Sequence, residues 1–283
     1  MDIANKLIAF YNHLNATDVN RTIFSVKLGE RNSEFIKKFK EKYSNQYAFY
    51  TLTPINNEKL KNKIANYDWA KREAFTFTTS EGIQLDGWMM KPLNFNPAKR
   101  YPVVLFQYSG PGSQQVINSW NAGSMGQGGA FDAYLAQNDI IVVCVDGRGT
   151  GGREAAFEKA TYLQLGRLEA KDQVETALWL GKQSYVDKDK IGIWGWSFGG
   201  FNTLMSMSEG RKVFKAGVAV AAPTDWKFYD TIYTERYMRT PKENPDGYKD
   251  NPISRVNQLE GALLLCHGTA DDNVHVQNAY EYS

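Results

Sequence analysis

Residues 191–200 read Ile-Gly-Ile-Trp-Gly-Trp-Ser-Phe-Gly-Gly, and this stretch decides the fold. It contains the pattern Gly-x-Ser-x-Gly at Gly195, Ser197 and Gly199, between an apolar run and a helical one. This pattern is typical of a serine on a sharp strand-to-helix turn, where side chains at the glycine positions would collide with the backbone. The turn places the serine hydroxyl at a helix N-terminus, where backbone N–H groups favour a developing negative charge. We therefore predict that Ser197 is a nucleophile.

The region around this motif alternates between apolar runs and helical segments. Runs bounded by Gly, Pro or Asp are typical of strands buried on both faces of a parallel sheet. They lie at residues 103–108, 140–145, 191–194, 216–221 and 262–266. Helices are predicted over residues 170–183 and 198–209, between these strands. The alternation predicts an α/β domain over residues 76–283, with a mostly parallel sheet and helices on both faces. Together with the Gly-x-Ser-x-Gly turn, it predicts the α/β-hydrolase fold.

Residues 1–75 differ from the rest of the chain in composition and in hydrophobic pattern. They are polar and rich in Lys and Asn, with one hairpin signal formed by residues 7–11 and 22–28. A single hairpin does not bury a core of its own. We therefore expect a short β-rich region and a linker before the α/β domain.

Composition excludes several function classes. The net charge of +2 creates no overall field for nucleic acid, and the lysines between positions 37 and 71 are interpreted as a solvated face. Cys144 and Cys266 each lie in an apolar run without metal-ligand spacing, so we expect two buried free thiols and no metal. The segment after Met1 has neither a basic start nor a long apolar stretch, which predicts no signal peptide and no transmembrane helix there.

A second glycine-rich run offers an alternative. Residues 147–152, Gly-Arg-Gly-Thr-Gly-Gly, match the dinucleotide-binding pattern Gly-x-Gly-x-x-Gly. That pattern requires an immediate helix and then a second strand ending in an acidic residue about 20 residues further on. Residues 168–172, Leu-Glu-Ala-Lys-Asp, open a helix at that distance instead. We therefore expect no cofactor and interpret the run as a structural loop beside the active site.

The catalytic acid is expected after the nucleophile, because a triad of this fold runs Ser, then Asp or Glu, then His along the chain. Residues 263–267 form an apolar strand that ends in His267, and Asp271 and Asp272 follow after a short turn. This order makes the Asp pair the candidate for the triad acid.

None of the three histidines satisfies the same order. His13 lies far upstream, His267 precedes the acid and closes a strand, and His275 stands too close to the acid to reach the nucleophile. We interpret His267 as a strand-end packing residue and His275 as the start of a helix. The catalytic histidine is therefore expected beyond residue 283.

Three runs together resemble the dipeptidyl peptidase IV-like serine peptidases of the prolyl oligopeptidase family. They are residues 195–200, Gly-Trp-Ser-Phe-Gly-Gly; residues 229–238, Tyr-Asp-Thr-Ile-Tyr-Thr-Glu-Arg-Tyr-Met; and residues 267–275, His-Gly-Thr-Ala-Asp-Asp-Asn-Val-His. The resemblance covers residues 75–283. It implies that residues 1–75 are the shortened remnant of that family's β-propeller, and that the chain is truncated at its C-terminal end.

The resemblance also implies roles for particular residues. Asp271 would be the triad acid, and the hydroxyl of Tyr108 would join the backbone N–H of Phe198 in an oxyanion hole. The remaining positions implied are a proline pocket lined by Trp226, Tyr229, Tyr233 and Val274, and a substrate-carbonyl contact at Asn273. A flat aromatic slot suits a pyrrolidine ring. On spacing alone, these aromatic side chains would instead be interpreted as core packing.

The function implied by the resemblance is that of a serine peptidase. It would cleave peptides after a penultimate proline or alanine and release N-terminal dipeptides through an acyl-enzyme. It would take a peptide substrate, use no cofactor or metal, form a homodimer at full length, and act in a periplasmic or other extracytoplasmic compartment. The chain as given would be inactive, because the histidine is expected beyond residue 283.

Two departures from the family pattern keep other functions open. Phe198 stands where close relatives often carry Tyr, and no pair of Glu residues that would hold the substrate's amino terminus is evident in residues 1–75. One alternative is another peptidase of the same family, acting on acylaminoacyl peptides or on internal bonds. The other alternative is an inactive hydrolase-like binding module.

Overall fold

The computed structural model describes residues 62–63, 65–119, 122–126 and 129–283. The chain divides into two compact units, and the second, Asp68–Ser283, contains every strand described below. Its first strand, Arg72–Thr78, crosses the domain boundary predicted at residue 76. The predicted hairpin at residues 7–28, His13 and most of the propeller remnant predicted at residues 1–75 lie outside the described residues.

One mixed sheet forms the centre of this unit, with seven strands in the described part of the chain. They are β1 Arg72–Thr78, β2 Gln84–Met90, β3 Tyr101–Phe106, β4 Ile141–Asp146, β5 Val186–Trp196, β6 Ala216–Val220 and β7 Ala262–Cys266. Their spatial order is β1-β2-β4-β3-β5-β6-β7. β2 pairs antiparallel with β1 and β4, whereas all the other pairs are parallel. The predicted mostly parallel sheet is confirmed.

Helices connect the parallel strands. They are α1 Ala130–Gln137, α2 Ala155–Glu158, α3 Arg167–Leu180, α4 Phe198–Met207, α5 Thr231–Met238, α6 Pro245–Lys249 and α7 Gln277–Tyr282. Short 3₁₀ turns lie at Ser124–Gly126, Lys159–Thr161, Trp226–Phe228 and Ile253–Gln258. Among the residues described, no helix combines the length and the apolar character needed to cross a bilayer.

The core lies on both faces of the sheet, as the continuous apolar runs predict. β4 is buried at all of its positions. On one face, side chains of β3, β4 and β5 pack against Val174, Ala177 and Leu180 of α3. On the other face, side chains that include Cys144 pack against Ala133 of α1. Burying each large aliphatic side chain contributes about 1.5–3 kcal/mol, so these two layers hold the sheet in place.

Two local differences from the sequence prediction have physical causes. The sequence predicts a helix over residues 170–183, and the corresponding helix α3 begins earlier, at Arg167. It begins there because the Glu169 carboxylate accepts a hydrogen bond from the Gly166 N–H at 2.9 Å. The β1–β2 hairpin was not predicted. Its first strand is only partly buried, so it lacks the continuous apolar run that marked the central strands.

Candidate active site

Ser197 lies at the turn between β5 and α4, with a φ of 57° and a ψ of −118°. Its N–H donates to the Val220 carbonyl at 2.8 Å, and its own carbonyl accepts from the Phe201 N–H at 3.0 Å. A non-glycine residue in this conformation stores on the order of 1–3 kcal/mol of strain, which the surrounding packing must offset. The predicted position, at a strained strand-to-helix turn, is confirmed.

The glycines of the motif allow three chain segments to meet. A Cβ atom on Gly195 would lie 2.5 Å from the carbonyl group of Gly199. One on Gly199 would overlap the carbonyl oxygen of Gln107, and one on Gly200 would lie 2.8 Å from the carbonyl oxygen of Val220. The turn therefore packs directly against the segments that follow β3 and β6. These two segments form the walls of the cavity described next.

A cavity of about 290 Å³ opens beside Ser197. Its walls come from the segment after β3, from the start of α4, and from the segment between β6 and α5. The lining residues are Tyr108, Pro111, Gly112, Ser113, Ser197, Phe198, Pro223, Trp226, Tyr229, Tyr233, Arg236 and Tyr237. The structure thus brings Ser197 to one cavity with Tyr108 and Phe198, the two residues that the family resemblance places beside it.

Three of the predicted pocket residues form one aromatic wall. The rings of Trp226 and Tyr233 stack at 5.8 Å, and Tyr229 meets Tyr233 edge-on at 5.7 Å. Trp226 also contacts Phe198, with ring centroids 5.5 Å apart. Burial raises the pKa of Tyr233 well above its ordinary value. These rings belong to a packed cluster and also line the cavity, so the same side chains form core contacts and a cavity wall.

The two other predicted pocket positions lie differently. Val274 is buried, with 1% of its surface exposed, and is not among the residues that line the cavity. Asn273 accepts a hydrogen bond from the Tyr229 hydroxyl at 3.3 Å through its side-chain oxygen. Asn273 therefore adjoins the aromatic wall, whereas the Val274 side chain is buried and does not line the cavity.

Asp271 lies in the turn after β7. One carboxylate oxygen accepts from the N–H groups of Asn273 and Val274, at 3.0 and 2.9 Å, and the other lies 3.8 Å from Nε2 of His267. β5 and β7 both run parallel to β6, so Ser197 and Asp271 follow the carboxyl ends of their strands at the same edge of the sheet. In open α/β sheets this edge is where ligands bind.

The two described histidines occupy the places predicted for them. The side chain of His267 is only 3% exposed, and its Nε2 is hydrogen-bonded to the Val274 carbonyl at 2.7 Å. Nδ1 of His275 accepts from the N–H of Gln277 at 3.2 Å, at the first residue of α7. Neither lines the cavity. The strand-end and helix-start interpretations are confirmed.

The glycine-rich run at residues 147–152 supports the cavity from outside. The Gly151 N–H donates to the carbonyl of Ser113 at 2.8 Å, and Ser113 lines the cavity. Arg148 is tied to Asp172 by its backbone N–H and by its guanidinium. This run is a structural loop that braces the segment after β3.

Sequence reasoning missed several lining residues. Arg236 and Tyr237 follow Tyr233 by three and four positions on α5, so helical spacing from the predicted Tyr233 was a usable signal. The Tyr237 ring lies 4.8 Å from that of Tyr233. Pro111, Ser113 and Pro223 carried no comparable signal, because loop residues have no periodicity.

These features define a class of protein. A strained serine at a strand-to-helix turn, an acid after a later parallel strand and a cavity at the carboxyl edge of the sheet are the elements of a serine hydrolase of the α/β-hydrolase type. The sequence model of the prolyl oligopeptidase family matches residues 131–283. The chain therefore belongs to the prolyl oligopeptidase family.

Similar proteins carry names within that family. A probable dipeptidyl-aminopeptidase B of Coccidioides posadasii is 45% identical over 241 residues, which cover 80% of this chain and 25% of that protein. A protein with the same name from Tuber melanosporum is 48% identical over 221 residues, covering 74% of this chain and 23% of that protein. The chain spans about a quarter of the length of these curated relatives.

A solved structure shows the same arrangement. The crystal structure of Porphyromonas gingivalis dipeptidyl peptidase 4 matches with a TM-score of 0.74 and 45% sequence identity. The match covers 81% of this chain and 32% of that one. The mostly parallel sheet with its helices is therefore consistent with the α/β-hydrolase fold.

Proposed function

We propose that the protein is a serine peptidase that cleaves peptides after a penultimate proline or alanine and releases N-terminal dipeptides. The observation that carries the proposal is the aromatic wall of Trp226, Tyr229 and Tyr233 in the cavity beside Ser197. The names of the relatives support the same class of reaction.

The chemistry follows from the positions of the side chains. Oγ of Ser197 would attack the carbonyl carbon of the scissile bond, and its proton would pass to the histidine expected beyond residue 283, which Asp271 would orient. The negative charge on the carbonyl oxygen would be stabilised by the Tyr108 hydroxyl and the Phe198 N–H. The C–N bond then breaks, the histidine returns the proton to the leaving amine, and water hydrolyses the acyl-enzyme.

The shape of the cavity favours proline at the position before the scissile bond. A prolyl residue has no N–H to satisfy, so its ring can lie against flat aromatic faces without the cost of an unpaired donor. Its compact ring suits a cavity of about 290 Å³. Alanine would fit the same space but would leave part of the aromatic surface uncovered, and we expect it to be the poorer substrate.

A second candidate is an endo-acting or acylaminoacyl-releasing peptidase of the same family. In the described part of the chain, no acidic residue lines the cavity, so no anchor for a free amino terminus is supplied from these residues. The proposed dipeptidyl activity requires such an anchor, which would come from elsewhere in the longer protein. The homodimer and the extracytoplasmic location are likewise proposed from the family resemblance.

A comparison of two substrates tests the proposal. The protein extended through the predicted histidine, called the full-length protein below, is assayed on glycyl-prolyl p-nitroanilide and on its N-succinylated form. We expect the free substrate to have at least about 100-fold higher kcat/KM, because a buried carboxylate anchor left unpaired is costly. Equal cleavage of both would exclude the dipeptidyl activity and favour the second candidate.

Ser197→Ala is the control for the reaction class. We expect it to reduce kcat by at least about 10³-fold, because only the oxyanion hole and binding remain. No turnover by the full-length protein would favour the inactive binding module, whereas turnover that survives Ser197→Ala would contradict the assignment of Ser197 as the nucleophile.

A further inference from the structure

Tyr108 is flanked by two buried polar residues. Gln107 is 0% exposed and Ser109 is 2% exposed, although the chain has left β3 at Phe106. A buried polar side chain without hydrogen bonds costs about 1–3 kcal/mol, so both residues require partners inside the protein.

Apart from a hydrogen bond between the two residues themselves, their side-chain partners lie on α4, which begins immediately after Ser197. Nε2 of Gln107 donates to the Gly199 carbonyl at 2.6 Å and to Oγ1 of Thr203 at 3.1 Å. Nδ2 of Asn202 donates to Oε1 of Gln107 at 3.1 Å and to Oγ of Ser109 at 3.0 Å. The Ser109 hydroxyl completes the network by donating to Oε1 of Gln107 at 2.9 Å. One buried amide, that of Asn202, therefore bridges both neighbours of Tyr108.

Ser109 is held in a conformation that few residues adopt. Its φ is 62°, in the left-handed region, and its carbonyl accepts a hydrogen bond from the Ser113 hydroxyl at 2.6 Å. Such a conformation persists only where the surroundings hold it. The hydrogen bond from Asn202 is one of the contacts that hold Ser109 in this conformation. The direction in which the Tyr108 side chain leaves the backbone depends on its two neighbours, Gln107 and Ser109.

Burying the Asn202 side chain in α4 has an unfavourable free energy that a purely structural role would not require. It is 0% exposed, and among the described residues its Oδ1 has no hydrogen-bond partner. Since the Ser109 hydroxyl already donates to Oε1 of Gln107, the Asn202 amide must present its donors to the network. An apolar residue of similar size would avoid the cost of the unpaired oxygen on a helix that is otherwise buried.

We propose that Asn202 is a positioning residue, whose amide fixes the segment Gln107–Ser109 so that the Tyr108 hydroxyl lies correctly relative to Ser197. The proposal rests on the proposed function, in which Tyr108 stabilises the oxyanion. It predicts an effect on the chemical step rather than on substrate binding, because oxyanion donors act in the transition state. Removing such a donor outright costs about 10²–10³ in kcat, which sets the upper limit for misplacing it.

A double-mutant cycle tests the proposal in the full-length protein. Asn202→Leu is made alone and together with Tyr108→Phe, and turnover is measured on p-nitrophenyl acetate, an ester that needs no proline pocket. We expect Asn202→Leu to lower kcat about 10- to 100-fold with KM changed less than about threefold. In the Tyr108→Phe protein we expect the same substitution to lower kcat by less than about twofold, since the group it positions is gone.

A matched control lies one turn further along the same helix. Ser206 is also buried, and its hydroxyl has no hydrogen-bond partner among the described residues. We expect Ser206→Ala to leave kcat unchanged in both proteins. If Asn202→Leu does not fold, Ser109→Ala removes the other end of the same hydrogen bond without adding volume and takes its place in the cycle. The proposal would be overturned if Asn202→Leu lowered kcat equally with and without the Tyr108 hydroxyl. It would also be overturned if the substitution changed only KM, or changed neither kcat nor KM.

A structural measurement separates this proposal from the proposed function. Crystal structures of the wild-type protein and of Asn202→Leu require no activity. We expect the Tyr108 phenol to move away from Ser197 in the variant by about 1 Å or more, the scale at which misplacement affects catalysis. If the phenol does not move, the positioning role of Asn202 is wrong. If the phenol moves but the full-length protein cleaves no prolyl dipeptide, the positioning role is supported and only the substrate assignment is contradicted.

Discussion

The indole of Trp226 and the phenol ring of Tyr233 stack with their centroids 5.8 Å apart and their planes 26° from parallel. Trp226 lies on a 3₁₀ turn after β6, and Tyr233 lies on α5. The Tyr233 hydroxyl donates to the carbonyl of Pro111 at 3.4 Å, in the segment that also carries Tyr108. Tyr233 thus joins the proposed proline pocket to the proposed oxyanion hole.

This arrangement predicts the effect of removing the Tyr233 ring. In the full-length protein, Tyr233→Ala is expected to lower kcat/KM about 10- to 100-fold for glycyl-prolyl p-nitroanilide, and less for the glycyl-alanyl substrate, which covers less of the wall. Tyr233→Phe keeps the ring and is expected to stay within about threefold of the wild type. Tyr280→Ala, at a residue that is 67% exposed, is the control. Equal losses for both substrates would show that the wall does not select proline.

The 283-residue chain is expected to hydrolyse prolyl dipeptide substrates no faster than about 10³–10⁴ times the uncatalysed rate, because a serine hydroxyl without its base is a weak nucleophile. The measurement compares this chain with the full-length protein, in which activity should appear. The triad assignment would be wrong if the 283-residue chain turned over substrate at a rate comparable to that of the full-length protein and His275→Ala abolished this activity. His275 would then be the base.

Asp146 predicts a pH dependence of stability. It ends β4 and accepts hydrogen bonds from the N–H groups of Gln115 and Val116, in the segment that supports the cavity. Burial raises its pKa from 3.8 to about 6. At a pH between 3.8 and about 6, the Asp146 carboxyl is therefore mostly protonated in the folded protein and mostly ionised in the unfolded chain. The contribution of Asp146 to stability is greatest below pH 4 and falls as the pH rises through 6.

Urea denaturation of the wild type and of Asp146→Asn, at intervals from pH 4 to pH 7, measures this effect. We expect the free energy of unfolding of the wild type, relative to the variant, to fall by about 2 kcal/mol across that range. A difference that does not change with pH would mean that Asp146 titrates at its ordinary pKa.

Gly199→Ala is expected to destabilise the full-length protein by about 3 kcal/mol or more, because the added methyl group overlaps the carbonyl oxygen of Gln107. In an ordinary helix the same substitution stabilises by about 0.5–1 kcal/mol, so the sign is diagnostic. Gly151→Ala is the control, since its Cβ atom would come no nearer than 3.7 Å to another atom and should change stability by less than about 0.5 kcal/mol. A neutral Gly199→Ala in urea denaturation would contradict the close packing at this turn.

The sheet edge at β7 predicts self-association of the 283-residue chain. β7 is the last strand at one edge of the described sheet, and Leu264 in its middle is 57% exposed. Unpaired backbone groups beside exposed apolar side chains promote edge-to-edge pairing. Sedimentation velocity should show association that increases with concentration and weakens in Leu264→Lys. A monomer at high concentration would contradict this expectation.

The sequence by itself determined the elements whose signal is local. The turn at Ser197 was predictable because its geometry demands glycine within two residues on either side. The central strands were predictable because burial on both faces leaves a continuous apolar run. Chain order pointed to the pair Asp271 and Asp272, and the family resemblance selected Asp271. Resemblance to a family then assigned the aromatic residues to a pocket, where their spacing alone would have indicated core packing.

Only the tertiary structure decided the contacts between distant segments. Asn202 bridges Gln107 and Ser109 across 95 and 93 positions of sequence, and no local pattern records such a pairing. Val274 follows Asn273 directly, yet its side chain is buried and does not line the cavity beside Ser197, while its N–H donates to Asp271 in the turn that carries both residues. Local patterns specify which backbone conformation a segment adopts, whereas the direction of a side chain in a loop depends on packing against segments that meet only in the folded protein.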